Sequence, residues 1–106
     1  MEVITEPVGI SPVSDLLPGY SLENYPNPFR HATNISFTIP DDTYVQLSIF
    51  DLSGRIVQNL LADAKSGSLS VLWNGENHYG EQVRPGVYIC RLIAGNHSES
   101  IRIIRQ

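Results

Sequence analysis

The stretch that decides the fold is Trp73–Leu92, WNGENHYGEQVRPGVYICRL. It begins with the only tryptophan of the chain, continues through Gly75, Gly80, Pro85 and Gly86, and ends in β-branched and aromatic residues. Three glycines and a proline so close together exclude a helix, because glycine loses backbone entropy there and proline lacks the amide donor. The stretch therefore predicts the end of one strand, a loop of turns, and the start of a strong second strand.

Alternating apolar residues indicate further strands on the N-terminal side of this stretch. Thr33–Ile39, Tyr44–Asp51 and Ser68–Trp73 have apolar side chains at every second position, which is typical of half-buried strands. Asp51-Leu-Ser-Gly54 has aspartate first and glycine fourth, as a type I turn prefers, so it predicts a hairpin to Arg55–Leu60.

The rest of the chain supplies shorter strands and turns. Gly95-Asn96 has the glycine-first pattern of a two-residue hairpin loop. We expect Pro40–Asp42 to reverse the chain and Leu61–Ala64 to form at most one helical turn, ended by Ser66-Gly67. The remaining predicted strands are Tyr20–Tyr25, Val87–Ala94 and Ser98–Arg105.

These elements together predict an all-β fold, an Ig-like antiparallel β-sandwich of about seven strands. Tyr88 stands two residues before Cys90 and just after the Gly86 corner, which is the spacing of a tyrosine and a strand cysteine in immunoglobulin domains. Trp73 is not at the immunoglobulin position, and the partner cysteine is missing. The pattern therefore supports an Ig-like sandwich and no closer relation.

The chain divides into residues 1–19 and 20–106. Residues 1–19 contain three widely spaced prolines with apolar residues between them, which predicts an extended linker or tail. The alternative is that its apolar residues add a strand to another molecule. Residues 20–106 are predicted to be the sandwich.

Composition excludes several functions. With a net charge of −4, one lysine and six scattered arginines, the chain has no basic stripe for nucleic acid. It has no apolar run approaching the ~20 residues of a transmembrane helix. Cys90 is the only cysteine and is predicted to be a small buried side chain, and none of the three histidines lies in a catalytic motif. We therefore predict no enzyme activity and no cofactor.

The sequence also contains candidate residues for a calcium site and for a carbohydrate-binding site. Asn74, Glu76, Asn77 and Glu81 place oxygen ligands in one loop, but only two are carboxylates, so the glycines explain the loop without calcium and a calcium site stays an alternative. A carbohydrate-binding module needs aromatic residues on one exposed face. Its candidates are scattered along the sequence: Tyr44, Phe50 and Tyr79.

Apolar residues on both faces of one strand indicate contact with a partner. If alternate residues of Tyr88–Leu92 face the core, then Val87, Ile89 and Ile93 face outward together with Arg91. Sheet faces that stay in water are more polar than this. The face either binds a partner or is covered by a neighbouring domain, tail or loop.

Five sequence elements occur in a fixed order within residues 20 to about 105, the part of the chain that the resemblance described below covers. They are Tyr25-Pro26-Asn27-Pro28-Phe29, the alternating Thr33–Phe37, Asp51-Leu-Ser-Gly54-Arg55, Trp73-Asn-Gly75 followed by Gly80, and Gly86-Val-Tyr88. This set resembles the C-terminal sorting domain of proteins exported by the type IX secretion system of Bacteroidetes-like bacteria. It is also similar to the Ig-like domain of the flagellar hook-capping protein.

The resemblance implies a function in export. It implies a domain at the C-terminus of a larger secreted protein that is recognised by the outer-membrane translocon and reaches the cell surface or medium by way of the periplasm. The partners would be the translocon and the rest of the parent protein. The last strand carries much of the signal in that family, which corresponds to Ser98–Arg105 here, and its arginines are expected to be exposed. The candidate recognition residues are Ile101, Arg102, Ile103, Ile104 and Arg105. The alternative is an Ig-like spacer or assembly module.

Overall fold

The computed structural model describes residues 19–106, and the predicted tail lies outside the described residues except for Gly19. All regular secondary structure in residues 19–106 is β, and the strands form one antiparallel sheet, which confirms the all-β prediction. The five strands of this part are β1 (Ser21–Tyr25), β2 (Thr33–Phe50), β3 (Ile56–Trp73), β4 (Gly86–Ala94) and β5 (His97–Arg105).

The long strand β2 organises the sheet. Its first half pairs with β1 and its second half pairs with β4, whereas β3 pairs along its whole length. Because a strand has two edges and β3 occupies one of them, β1 and β4 share the other. β5 then pairs with β4 and completes a curled half-barrel in which the two halves of the bent sheet face each other across one core.

The predicted sandwich of seven strands is not confirmed. The strands predicted at 33–39 and 44–51 are one strand, β2, and those predicted at 55–60 and 68–73 are one strand, β3. Pro40–Asp42 does not reverse the chain: Ile39 pairs with Gly67 and Thr43 with Lys65, so three residues oppose one. This bulge bends both strands, because the extra residues cannot join the ladder.

The predicted helical turn at Leu61–Ala64 is wrong, because these residues belong to β3. Leu61 pairs with Leu47 and Ala64 with Tyr44. Pairing with an already alternating strand outweighs the local helix preference of a Leu-Ala segment, since propensity is a weak prior beside tertiary contacts.

The core confirms the inward positions expected from alternation. On β2, Ile35, Phe37, Ile39, Val45, Leu47 and Ile49 are all at most 1% exposed. Trp73 lies between Phe29 and Tyr88, with ring centroids 5.4 Å and 5.7 Å away, and its Nε1 donates to the carbonyl oxygen of Glu76 at 2.9 Å. The Tyr88 hydroxyl donates to the carbonyl oxygen of Arg84 at 2.6 Å, which is the backward bond of a tyrosine corner.

The two predicted hairpin turns are present. The amide of Gly54 donates to the carbonyl of Asp51 at 3.0 Å, closing the type I turn, and Ala94 pairs with His97 across the Gly95-Asn96 loop. The Asp51 carboxylate accepts the Ser53 hydroxyl at 2.6 Å and also two backbone amides. These hydrogen bonds, of which the one from the Ser53 hydroxyl has the largest effect, hold the pKa of Asp51 below its ordinary value.

Candidate functional site

The candidate recognition residues of β5 alternate between the two sides of the sheet. Ile101 and Ile103 pair with Cys90 and Tyr88 on the core side, and Ile103 is 0% exposed. Arg102 is exposed on the outer side, and Ile104 is half-buried there. The structure thus brings only part of the predicted set to a surface that a partner can reach.

Arg105 is half-buried, in contrast to the expectation that it is exposed. Its guanidinium carbon lies 5.7 Å from the centre of the Phe29 ring, and its Nε and Nη1 are buried without a hydrogen-bond partner among residues 19–106. A Cβ atom at Gly75 would collide with Nη1. Gly75 therefore leaves room for the last arginine of β5, and this explains the glycine that follows Trp73-Asn.

The Tyr25–Phe29 motif covers the outer edge of β5. The Asn27 side chain donates to the carbonyl of Arg102 at 3.0 Å and accepts the amide of Ile104 at 2.9 Å. The amide of Phe29 donates to the carbonyl of Ile104 at 2.9 Å, and that of Gln106 donates to the carbonyl of Phe29 at 2.8 Å. The motif thus satisfies the edge of β5 from Arg102 to the end of the strand, a role for Asn27 that sequence reasoning missed.

An open groove of about 610 Å³ remains between β1 and β5, where within residues 19–106 neither strand has a further strand beside its outer edge. We call this the β1–β5 groove. Its lining is apolar at the base, with amides, one carboxylate and one guanidinium at the rim. The lining residues are Leu22, Glu23, Asn24, Asn27, Ile89, Ser100, Ile101 and Arg102.

The outer side of the second half of the sheet carries a row of large side chains. Phe50 pairs with Ile56 on one side and with Ile89 on the other, and Ile89 pairs with Arg102. The Arg91 guanidinium lies 4.8 Å from the centre of the Phe50 ring. We call this surface the apolar outer face; it consists of Phe50, Ile56, Val87, Ile89 and Ile104 with Arg91 and Arg102.

The other sites considered from sequence are occupied by internal contacts. Cys90 is fully buried, and burial raises the pKa of its thiol to about 12, so the thiolate is not available for chemistry. In the loop before β4, the Asn77 side-chain oxygen accepts the amides of Tyr79 and Glu81. Residues 19–106 contain no group of three acidic, histidine or cysteine side chains placed to hold a metal ion.

The aromatic candidates for carbohydrate binding do not form one platform. Tyr44 and Phe50 lie six residues apart on β2, about 20 Å at the rise of a strand. Tyr79 is 77% exposed in the loop before β4, where its ring stacks on His78 at 4.2 Å. Nor does this part of the chain contain a helix long and apolar enough to cross a bilayer.

Two solved structures share the fold. One is dimeric latent PorU from Porphyromonas gingivalis, 21% identical with a TM-score of 0.67 over 81% of this chain and 9% of that chain. The other is PorZ, a surface component of the type IX secretion system of the same organism, 24% identical with a TM-score of 0.60 over 80% of this chain and 11% of that chain. This chain thus spans a small part of either protein. No curated protein matches it.

A family model matches residues 23–106, which include all five elements of the predicted motif set. That model describes a secretion system C-terminal sorting domain, which is a signal for export and not a catalyst. The match confirms the resemblance found in the sequence, and with it export to the cell surface or medium across the outer membrane. The protein belongs to the secretion system C-terminal sorting domain family and carries a type IX sorting signal.

Proposed function

We propose that the secretion machinery recognises this domain through its apolar outer face, with Arg102 of β5, at one end of that face, as the main polar contact. The observation that supports this proposal is the row Ile56–Phe50–Ile89–Arg102, which runs across four neighbouring strands. Such a row gives a partner a flat apolar surface with a positive charge at its β5 end. Aromatic residues and arginine are enriched at the contact sites between proteins, and this surface contains both.

The distribution of charged residues also supports the proposal that the apolar outer face is recognised. The outward positions of β4, β5 and the second half of β2 include Arg91 and Arg102 and no carboxylate. The whole chain, by contrast, has a net charge of −4. The face is therefore locally positive on an acidic protein, and it suits a partner with carboxylates around an apolar patch.

The five candidate residues of β5 then have different roles in the proposal. Arg102 and Ile104 touch the partner. Ile103 holds β5 on the core, and Arg105 holds the end of β5 against Phe29. Ile101, half-buried on the same core side as Ile103, also lines the β1–β5 groove.

Charge reversal at Arg102 tests the proposal. The chain is fused to the C-terminus of a periplasmic reporter in a bacterium with a working type IX system, and reporter at the surface and in the medium is measured. We expect Arg102→Glu to reduce export at least tenfold and to leave the melting temperature of the purified domain within about 2 °C, because exposed charges contribute little to folding. Arg105→Glu is unsuitable, since Nε and Nη1 of Arg105 are buried and a carboxylate there would change the packing of β5 as well as the surface.

Ser70→Glu is the matched control. Ser70 is exposed on the outer side of the other half of the sheet, and the substitution also makes the protein more acidic. We expect full export of this variant. Equal export of the two variants would contradict the recognition face. A reporter that stays periplasmic with the unaltered, folded domain attached would favour the spacer or assembly alternative.

A further inference from the structure

We infer that the outer edge of β3 from Gly67 to Trp73 binds the same edge of a second copy of this chain, in antiparallel register centred on Ser70. This segment contains no residue of the apolar outer face, so the inference is independent of the surface proposed for recognition by the secretion machinery. It rests on the uncovered main-chain edge of the segment, on its lack of charge, and on its complementarity to itself.

One edge of β3 has no strand beside it within residues 19–106. On its other edge, Gly67–Trp73 pairs with Thr33–Ile39 of β2 without a bulge. Every second residue of the segment therefore directs its main-chain amide and carbonyl away from β2. In the described part of the chain, no other segment forms a backbone hydrogen bond with these groups. An edge of this kind is a template for a further strand.

The first half of the same edge is protected, in contrast to Gly67–Trp73. The amide of His78 donates to the carbonyl of Val57 at 2.9 Å, so the loop before β4 covers the start of the edge. Further along, the Asp63 carboxylate accepts the amide of Ala64 at 2.8 Å, and the Lys65 ammonium lies 3.7 Å from the same carboxylate. Charged side chains and capped amides prevent other strands from adding to an edge.

The composition of the uncovered segment favours pairing with another strand. Residues 66–73, Ser-Gly-Ser-Leu-Ser-Val-Leu-Trp, contain no charged residue and no proline. Leu69 and Val71 face the core but stay half-buried beside the open edge, and Leu72 on the outer side is 63% exposed. A strand added at this edge covers part of all three side chains.

The position of Ser70 favours a second copy as the added strand. Ser70 is the middle residue of the segment, three positions from Gly67 and three from Trp73, so antiparallel pairing centred there uses the whole segment. Such pairing has a two-fold axis, and every contact except that of Ser70 with itself occurs twice. Because the segment carries no charge, no like charges face each other.

The side chains that meet in this register fit each other on both faces. Directly opposite residues of an antiparallel pair lie on the same face, so Leu69 of each copy lies beside Val71 of the other on the core side. On the outer side, Leu72 of each copy lies beside Ser68 of the other, a large side chain next to a small one. The register therefore places apolar residues against apolar residues where the sheet faces the core.

Charge substitutions at Ser70 test the inference, because a residue on a two-fold axis faces its own copy. Self-association of the full chain is measured by sedimentation equilibrium over a range of concentrations. We expect the unaltered chain to dimerise, and Ser70→Glu and Ser70→Lys each to weaken the dimer roughly fivefold or more, since like charges directly opposite each other are unfavourable. An equimolar mixture of the two variants should form a mixed dimer at least as tight as the unaltered one.

Ser100→Glu and Ser100→Lys are the matched controls. Ser100 is also an exposed serine, but it lies on β5 at the other side of the sheet, so both variants should dimerise like the unaltered chain. Circular dichroism of each variant shows that it is folded.

Three results would overturn the inference. The first is a chain that stays monomeric at millimolar concentration, since specific contacts are tighter than this. The second is a mixture of the two Ser70 variants that associates no more tightly than either variant alone. The third is a dimer that is weakened by the Ser100 variants and not by the Ser70 variants, which would place the contact at β5.

Discussion

The two outer surfaces of the bent sheet differ sharply although they belong to the same strands. On the first half, made by β1, the start of β2 and the end of β3, most outward side chains are small and hydroxylated, and Glu23 lies among them. We call this the hydroxyl face; its hydroxyl residues are Ser21, Ser36, Thr38, Ser68 and Ser70. Thr38 and Ser68 hydroxyls lie 3.4 Å apart, and Ser70 donates to Asn34 at 2.7 Å. The second half carries the apolar outer face.

This difference shows what the fold itself requires. β2 and β3 contribute to both surfaces, and both surfaces cover the same core. The hydroxyl face demonstrates that these strands are stable with polar outer residues, apart from exposed Tyr25 and Leu72 at its end. The large apolar residues on the other half are therefore not needed to form the sheet. In the proposed function, contact with a partner accounts for them.

The largest expected loss of stability follows from a substitution in the core that lies beneath both outer surfaces. Trp73 is 1% exposed between Phe29 and Tyr88, so Trp73→Ala should leave a cavity and destabilise the protein by about 3 to 5 kcal/mol. Urea unfolding of the two proteins measures the difference. Because both outer surfaces rest on this core, the variant should lose them together. A loss below about 1 kcal/mol would mean that the two halves of the sheet do not share one core.

Smaller losses of stability are expected from glycine substitutions at the bend of the sheet and beside β5, and the two losses should differ. Gly67 at the bend and Gly75 beside β5 both have positive φ, +86° and +76°. Gly67→Ala meets open space and should cost about 1 kcal/mol from backbone strain alone. Gly75→Ala should cost roughly twice as much, because its Cβ displaces the Arg105 guanidinium.

Arg105→Ala provides the control for this pair, with stability again measured by urea unfolding. In an Arg105→Ala background the cost of Gly75→Ala should fall to that of Gly67→Ala, since the colliding group is gone. An unchanged cost would show that Arg105 does not fix the position of β5 at Gly75. The β5 part of the apolar outer face would then be held by its pairing with β4 and by the bonds from Asn27 and Phe29.

The sequence predicted the alternation of the strands but not their continuity. The inward positions of β2, from Ile35 to Ile49, follow from alternation with a period of two, and the structure confirms them. Pro40-Asp41-Asp42 and Ser66-Gly67 were predicted as turn signals because turn propensity is local. The partner strand decides whether such residues reverse the chain or form a bulge, and a single strand pattern does not contain that information.

The surface that we propose for recognition was predictable in part for the same reason. The outward position of Val87, Ile89 and Arg91 follows from alternation within one strand. The row that joins Phe50 and Ile56 to them depends on register between strands distant in sequence. The contact of Arg105 with Gly75 and the bonds of Asn27 to β5 depend on tertiary folding, so no short-range pattern indicates them.

The smallest expected losses of stability come from substitutions of one residue on each outer surface, Arg91 and Ser70. The Arg91 guanidinium covers the Phe50 ring at 4.8 Å, an attraction of about 0.5 to 1 kcal/mol at an exposed site. Arg91→Ala should lower the free energy of unfolding by that amount. Ser70→Ala removes only an exposed hydrogen bond to Asn34 and should change it by less than about 0.5 kcal/mol.

Arg91→Lys shows whether the loss of stability in Arg91→Ala comes from the lost charge or from the lost planar group. Lysine keeps the charge but not the planar group that stacks on an aromatic ring, so it should recover only part of the loss. Full recovery would assign the effect to net charge, and no loss in Arg91→Ala would mean that the stacked arginine contributes nothing to the folded domain. In that second case Arg91 is available to a partner at no cost in stability.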